Sequence, residues 1–322
     1  MSNPIRNSTR QALLLLGMHR SGTSLLAYLL HVLGAALPLD LIGPGRGNPR
    51  GHWEPGSLVA INDRVLQLLG RSWNDPRPID PNWFGSCEAR TFIDRIAASI
   101  DSEYGDAPLI LIKDPRVCRL APLYLQSLAA LDIAPLVVFQ LRPCADVIRS
   151  LADRDGLDAD ISEFLWIRSI VEAEQATRAC PRAWVTFGQL CQDWRAAIRS
   201  VTQQLGLDAA GMTDEAAARI DRYIDPVMPH RQPQATDESR WLALNVWHAA
   251  QQAAAGNAAG AQATFDVTAS ALADFDRLQD RNLSRLAARY EARLDAVYSS
   301  TSWRLTKPLR ALRQRMLNAR SG

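Results

Sequence analysis

Lysine is nearly missing from this chain of 322 residues: Lys113 and Lys307 are the only lysines among 36 basic residues. Genome composition accounts for most of that bias. It leaves Lys113 conspicuous, because a position that accepted either cation would carry arginine here, so a compact ammonium is wanted. A charge excess is missing too, with 34 acidic residues and a net charge of +2, which excludes a generic polyanion binder; no nucleic acid is expected as a partner. No long apolar run is present near the N-terminus. Ala12 to Leu16 is far short of the roughly 20 residues that span a bilayer, and it runs into Gly17-Met18-His19-Arg20 rather than a cleavage site, so a cytoplasmic protein is expected. The five cysteines form no CxxC pair and the five histidines no HExxH spacing. Disulfide and metal chemistry therefore have no support, and no metal is expected. With 47 % hydrophobic and 22 % charged residues, disorder over most of the chain is excluded.

Gln11 to Leu16 lacks alternation, as a strand covered on both faces does. A glycine-bounded turn, Gly17 to Thr23, leads into a helical pattern from Ser24 to Leu33. Leu109 to Ile112, Pro135 to Leu141 and Ala183 to Phe187 are further buried-strand candidates, each followed by a helical pattern. Strands alternating with helices predict a three-layer α/β domain of the P-loop type with a central parallel sheet, plus a helical C-terminal appendage. An insertion between the first two strands carries a Gly/Pro-rich loop (Gly43 to Gly51), a helix near Ser57 to Leu69 and a Trp/Pro-rich loop (Ser72 to Phe84). Three segments are expected: the α/β domain over 1–208, a helical extension over 209–270 with Ala249 to Ala263 its most flexible or least specific part, and 271–322. The last combines a coiled-coil-like stretch, a candidate for self-association over 272–297, with a basic tail suited to peripheral membrane contact.

Gly17-Met-His-Arg-Ser-Gly22-Thr23-Ser24 has the glycine spacing of a phosphate-binding loop between strand and helix. Backbone N–H groups in such a turn converge on an anion at the positive end of the helix, and Thr23 and Ser24 add hydroxyls. A nucleotide triphosphatase needs a lysine where Thr23 stands, and no apolar strand ends in a convincing Mg²⁺-binding aspartate; Asp114 is the nearest imitation. The loop's cation is instead Arg20.

These residues resemble the sulfotransferases that use 3′-phosphoadenosine 5′-phosphosulfate, in particular a bacterial branch, of carbohydrate or tyrosyl-protein type, with an RSGT loop. His19-Arg20-Ser21-Gly22-Thr23-Ser24 resembles the family's 5′-phosphosulfate loop. Leu141-Arg142-Pro143 through Ser150-Leu151 resembles its 3′-phosphate motif, which implies that Arg142 and Ser150 hold that phosphate. Trp184-Val-Thr-Phe-Gly-Gln-Leu is similar to a strand-to-helix segment usually carrying Tyr-Glu-Asp-Leu, with Phe187 in place of the tyrosine, and Lys113-Asp114-Pro115-Arg116 to a K-[TD]-P-R segment.

The resemblance covers about residues 11 to 206 and implies sulfuryl transfer to a hydroxyl acceptor. A carbohydrate of a surface polysaccharide or glycolipid is favoured, because Ser302 to Thr306 resembles tails on some bacterial glycosyltransferases. Arg20, Glu54 and Lys113 are the catalytic candidates: Arg20 on the sulfuryl or bridging oxygen, Lys113 reaching donor or acceptor, Glu54 as base, with His52 and Asp114 as other candidates for the base. Trp53, Trp73 and Trp83 could stack on sugars or serve as packing anchors. Two other readings stay open: a kinase or nucleotide hydrolase with a degenerate loop, and a nucleotide-binding scaffold in polysaccharide assembly.

Overall fold

A computed structural model describes residues 10–45, 47–207, 212–224 and 241–306. Strand β1 (Gln11–Leu16) buries five of its six residues, as its unbroken apolar run requires. Around it lie β2 (Leu109–Lys113), β3 (Ala134–Leu141) and β4 (Arg182–Thr186), all parallel, in the order β2-β1-β3-β4. The chain leaves β1 for β2 on one side and returns to β3 on the other. Loops at the carboxyl ends of β1 and β3 therefore diverge around a crevice, where open parallel sheets bind ligands. Register sets Leu15 beside Lys113 and Leu16 beside Phe139, so Gly17, Lys113 and Arg142 all emerge at this edge.

Alternate residues of the strands face opposite layers. Leu13, Leu15, Val138 and Val185 pack with α1 (Thr23–Val32), α7 (Phe187–Leu205) and α8 (Asp214–Tyr223). The other face is covered by α4 (Val117–Ala130) and α9 (Trp241–Ala254). There Phe139 stacks on Trp184 at 3.9 Å, and Trp184 meets Phe265 at 5.5 Å. The insertion holds α2 (Gly56–Leu68) and α3 (Cys87–Tyr104); α5 (Cys144–Asp155) and α6 (Ala159–Ala176) follow β3.

One expectation needs correction. The alanine-rich stretch expected to be least specific is a packing face: Ala249, Ala250, Ala253 and Ala261 are buried, because small side chains let the helices approach closely. The stretch expected as a helical extension belongs to the same compact unit as the α/β domain. One compact unit runs through Ala269, and a second comprises Ser270–Gly322. Helix α10 (Ala258–Ser299) continues into the second unit, where α11 (Thr301–Leu305) follows it. No described helix is long and apolar enough to cross a membrane. The basic tail from 307 lies outside the described residues.

Candidate active site

The turn after β1 is built by two glycines. A Cβ on Gly17 would lie 2.5 Å from the Gln140 carbonyl oxygen, so only glycine lets the end of β1 run against β3. Gly22, at φ +89°, starts α1, and a Cβ there would sit 2.3 Å from the Phe187 ring. Arg20 is also left-handed, at φ 70°. Ser21 is buried and donates its N–H to Met18 O at 3.1 Å, so it props the turn from inside. His19, Arg20, Gly22, Thr23 and Ser24 line a cleft of about 410 Å³ at the positive end of α1.

Across the crevice, β3 delivers Arg142 to the same cleft. Arg142 lies over the Phe187 ring at 5.2 Å, donates to Arg20 O at 3.4 Å and approaches Asp146 at 3.7 Å. Phe187, where the resembling family carries tyrosine, is thus a shared floor for Gly22 and Arg142. Its place at the start of α7 is fixed by a capping box, Thr186 with Gln189. Ser150 lies on α5, where its hydroxyl accepts from Arg20 Nε at 2.8 Å, while Arg20 Nη1 donates to Gly47 O at 2.7 Å. The phosphate loop and the motif after β3, 130 residues apart, therefore meet through one arginine. The structure directs Arg20 to the Ser150 side of the cleft rather than toward Lys113.

The insertion supplies the opposite wall. Asn48 donates to Ser24 Oγ at 2.9 Å, and Ser24 donates to His52 O at 3.2 Å, tying the loop to α1. Lys113 donates to the same His52 carbonyl at 2.9 Å and to Glu54 Oε1 at 2.5 Å. Both side chains of this pair are buried, 3 % and 8 % exposed, and Arg116 stands 4.0 Å from the other Glu54 oxygen. Asp114 faces away from the cleft into a buried network. It accepts from Asn62 at 2.8 Å and from Arg116 Nη1 at 2.9 Å, which makes it an anchor for Arg116. Among the described residues no group of His, Cys, Asp or Glu could hold a metal ion.

Among the described residues, five basic side chains, Arg20, Arg50, Lys113, Arg142 and Arg154, line this cleft with one carboxylate, Glu54. Their field shows in the histidines. Burial, then Arg116 and Lys113, hold His19 well below the ordinary imidazole range, and burial with Lys113 and the arginines outweighs Glu54 to lower His52. Both rings are neutral at pH 7.

His19 Nε2 is shielded from solvent without a hydrogen-bond partner, and its ring meets Trp73 at 4.6 Å. Of the three tryptophans, Trp73 touches the cleft residues His19 and Arg154, the latter over its ring at 5.8 Å; Trp53 packs on Tyr28 and Trp83 on Phe84 and Phe92. Sequence reasoning missed Asn48, Arg50, Arg154 and Tyr223. Arg154 had a signal, since it follows Ser150 by one helical turn; Tyr223 had none, because it reaches the cleft by stacking on Tyr28 at 3.7 Å.

No family model matches the chain, and no curated protein matches it. Solved structures do. A sulfotransferase domain from the Synechococcus olefin synthase superposes with a TM-score of 0.45 at 15 % identity, over 76 % of this chain and 96 % of that one. A Mycobacterium tuberculosis sulfotransferase gives 0.38 at 17 %, over 66 % and 71 %. The sulfotransferase domain of the curacin biosynthetic pathway gives 0.40 at 11 %, over 74 % and 98 %. At this level of likeness the chemistry has to be argued from the cleft itself.

Proposed function

We propose that the chain transfers a sulfuryl group from 3′-phosphoadenosine 5′-phosphosulfate to a hydroxyl. The observation that carries this reading is the junction of two anion-binding motifs through Arg20 and Ser150, in a cleft with five cations and one carboxylate. A donor with phosphates at both ends of a ribose matches two separate anion cradles. The helix α1 end with Thr23 and Ser24 takes the 5′ side; Arg142, Ser150 and Arg20 take the 3′-phosphate.

Transfer requires in-line attack of the acceptor oxygen on sulfur, with cleavage of the bond from sulfur to the bridging oxygen, which leaves on the nucleotide with the bonding pair. Lys113, beside Ser24 and His52, is placed to offset charge on that departing oxygen, and the acceptor proton passes to Glu54. A carbohydrate hydroxyl is the acceptor class favoured by the resemblance of the 302–306 segment, with Trp73 beside the cleft as the aromatic surface. Action on a glycan or glycolipid intermediate at the cytoplasmic face of the membrane goes with that reading.

Calorimetric titration of the full chain with 3′-phosphoadenosine 5′-phosphate in EDTA, against ATP with Mg²⁺, tests the donor. Micromolar metal-free binding that beats ATP and weakens about 10- to 100-fold in Arg142→Ala is expected, while a nucleotide lacking the 3′-phosphate changes little. Binding of ATP alone, only with Mg²⁺, moves a kinase-like activity to first place.

A further inference from the structure

The second compact unit carries an apolar stripe that its own residues leave exposed. Leu283, Leu286, Tyr290, Leu294 and Val297 are each 47 % to 60 % exposed. At about 100° per residue they all fall within roughly 40° of Tyr290 around the helix, a narrow seam rather than a broad face. Leu283, Tyr290 and Val297 lie seven residues apart, the repeat with which two helices stay in contact along their length.

Charge selects what covers this seam. Between residues 270 and 299 five arginines stand against five acids, and within 283–297 three against two, so a net charge of at most +1 gives little attraction for an anionic membrane surface. Beside the seam the two signs are segregated. Arg289 and Arg293 flank the seam on one side, and Asp280 and Glu291 on the other. Against a second helix running the same way and in register, the basic flank of each copy lies beside the acidic flank of its partner. Run the opposite way about Tyr290, like flanks meet, arginine beside arginine and carboxylate beside carboxylate. The same sequence thus carries both the apolar seam and a rule for its direction.

We infer that residues 283–297 of α10 form a parallel, in-register pairing with a second copy of this chain. The inference stands independently of the catalytic reading, since no residue of the cleft takes part. Its test uses the full chain. Sedimentation at tens of micromolar is expected to give a dimer, and Leu286→Asp/Leu294→Asp a monomer that binds 3′-phosphoadenosine 5′-phosphate as the parent does, which shows that the variant is folded even if transfer activity is never found; circular dichroism supplies the same control without a ligand.

Direction is read from cysteines placed in a Cys87→Ser background. Leu283→Cys alone is expected to give a disulfide-linked dimer on mild oxidation, because parallel register sets residue 283 beside its own copy. A monomeric parent overturns the proposal, as does a dimer indifferent to Leu286→Asp/Leu294→Asp. A linkage found only when Leu283→Cys chains are mixed with Val297→Cys chains overturns the direction. A monomer that sediments with vesicles containing anionic lipid assigns the seam to a membrane surface instead.

Discussion

The two walls of the cleft use the same kind of side chain in opposite ways. On the wall formed by the ends of β1 and β3, Arg20 and Arg142 are held by neutral acceptors, by an aromatic face and by one carboxylate at 3.7 Å, so their charge remains available for an anion. On the insertion wall, Lys113 is already neutralised by Glu54 at 2.5 Å. One wall is an anion cradle whose like charges crowd one another; burial together with Arg154 and Arg142 lowers the Arg20 guanidinium. The other is a closed ion pair, its two charges offsetting each other. If the proposed transfer is what the cleft performs, binding and chemistry are separated in space, and the separation can be broken from either side.

The largest effect is expected from Lys113→Ala. Removing one member of a buried pair leaves the other charge uncompensated, a loss of about 3–5 kcal/mol in unfolding free energy, readable by urea denaturation. The double variant Lys113→Met/Glu54→Leu should recover most of that loss while remaining inactive. A Lys113→Ala chain as stable as the parent would mean that the pair is solvent-screened and the contrast between the walls illusory.

Next is Glu54→Gln, expected to lower turnover about 10²- to 10⁴-fold while the affinity for 3′-phosphoadenosine 5′-phosphate stays within about threefold. Turnover near the parent level would exclude Glu54 as base and pass that role to His52, whose ring is neutral at pH 7 and faces the same cleft. A parallel loss of donor affinity would instead show that the two walls act as one.

Gly22→Ala probes the cradle alone. Alanine at φ +89° is strained, and its Cβ would collide with Phe187. A destabilisation of about 2–5 kcal/mol follows from adding the backbone and steric costs. Measured against Phe187→Ala alone, Gly22→Ala should lose the steric share and cost only about 1–2 kcal/mol from the backbone. A double variant no better than the sum of the singles would place the collision elsewhere.

Legibility in the sequence followed the same division. The cradle wall was readable because its residues sit at fixed offsets from strand ends: the run Gln11 to Leu16 coincides with β1, and β3 differs from the expected strand only by including Ala134. The apolar run ends at Ile112, yet the backbone of Lys113 continues the strand and its ammonium is buried. Phe187 reads as strand by its ring, but the cap at Thr186 makes it the first residue of α7. Helix α6 escaped because it is buried on most sides, with Arg168 and Glu174 inside alongside Trp166, so no polar face marks its period. The partnership of Glu54 with Lys113 joins residues 59 apart across an irregular loop, and no local pattern encodes such a contact.

His19 stands where the walls meet, and it gives the smallest effect and the clearest sign. Its folded-state pKa lies well below the ordinary 6.5, from burial first and then from Arg116, Lys113 and Arg154. In the unfolded chain it takes up a proton near 6.5; in the folded chain it stays neutral to a lower pH. Between those two values the unfolded state holds more protons, so stability falls as pH falls, by up to about 1.4 kcal/mol per pH unit for one group, and is unaffected by His19 above that window.

Melting temperatures from pH 7.5 to 5.5 should therefore decline in the parent and decline less in His19→Gln. His52, lowered as well but more exposed, adds a contribution of the same sign, so His52→Gln should remove a smaller part of the slope. If His19→Gln leaves the slope intact, the acid sensitivity belongs to other groups, and the arginines and lysine of the two walls do not act together on the ring between them.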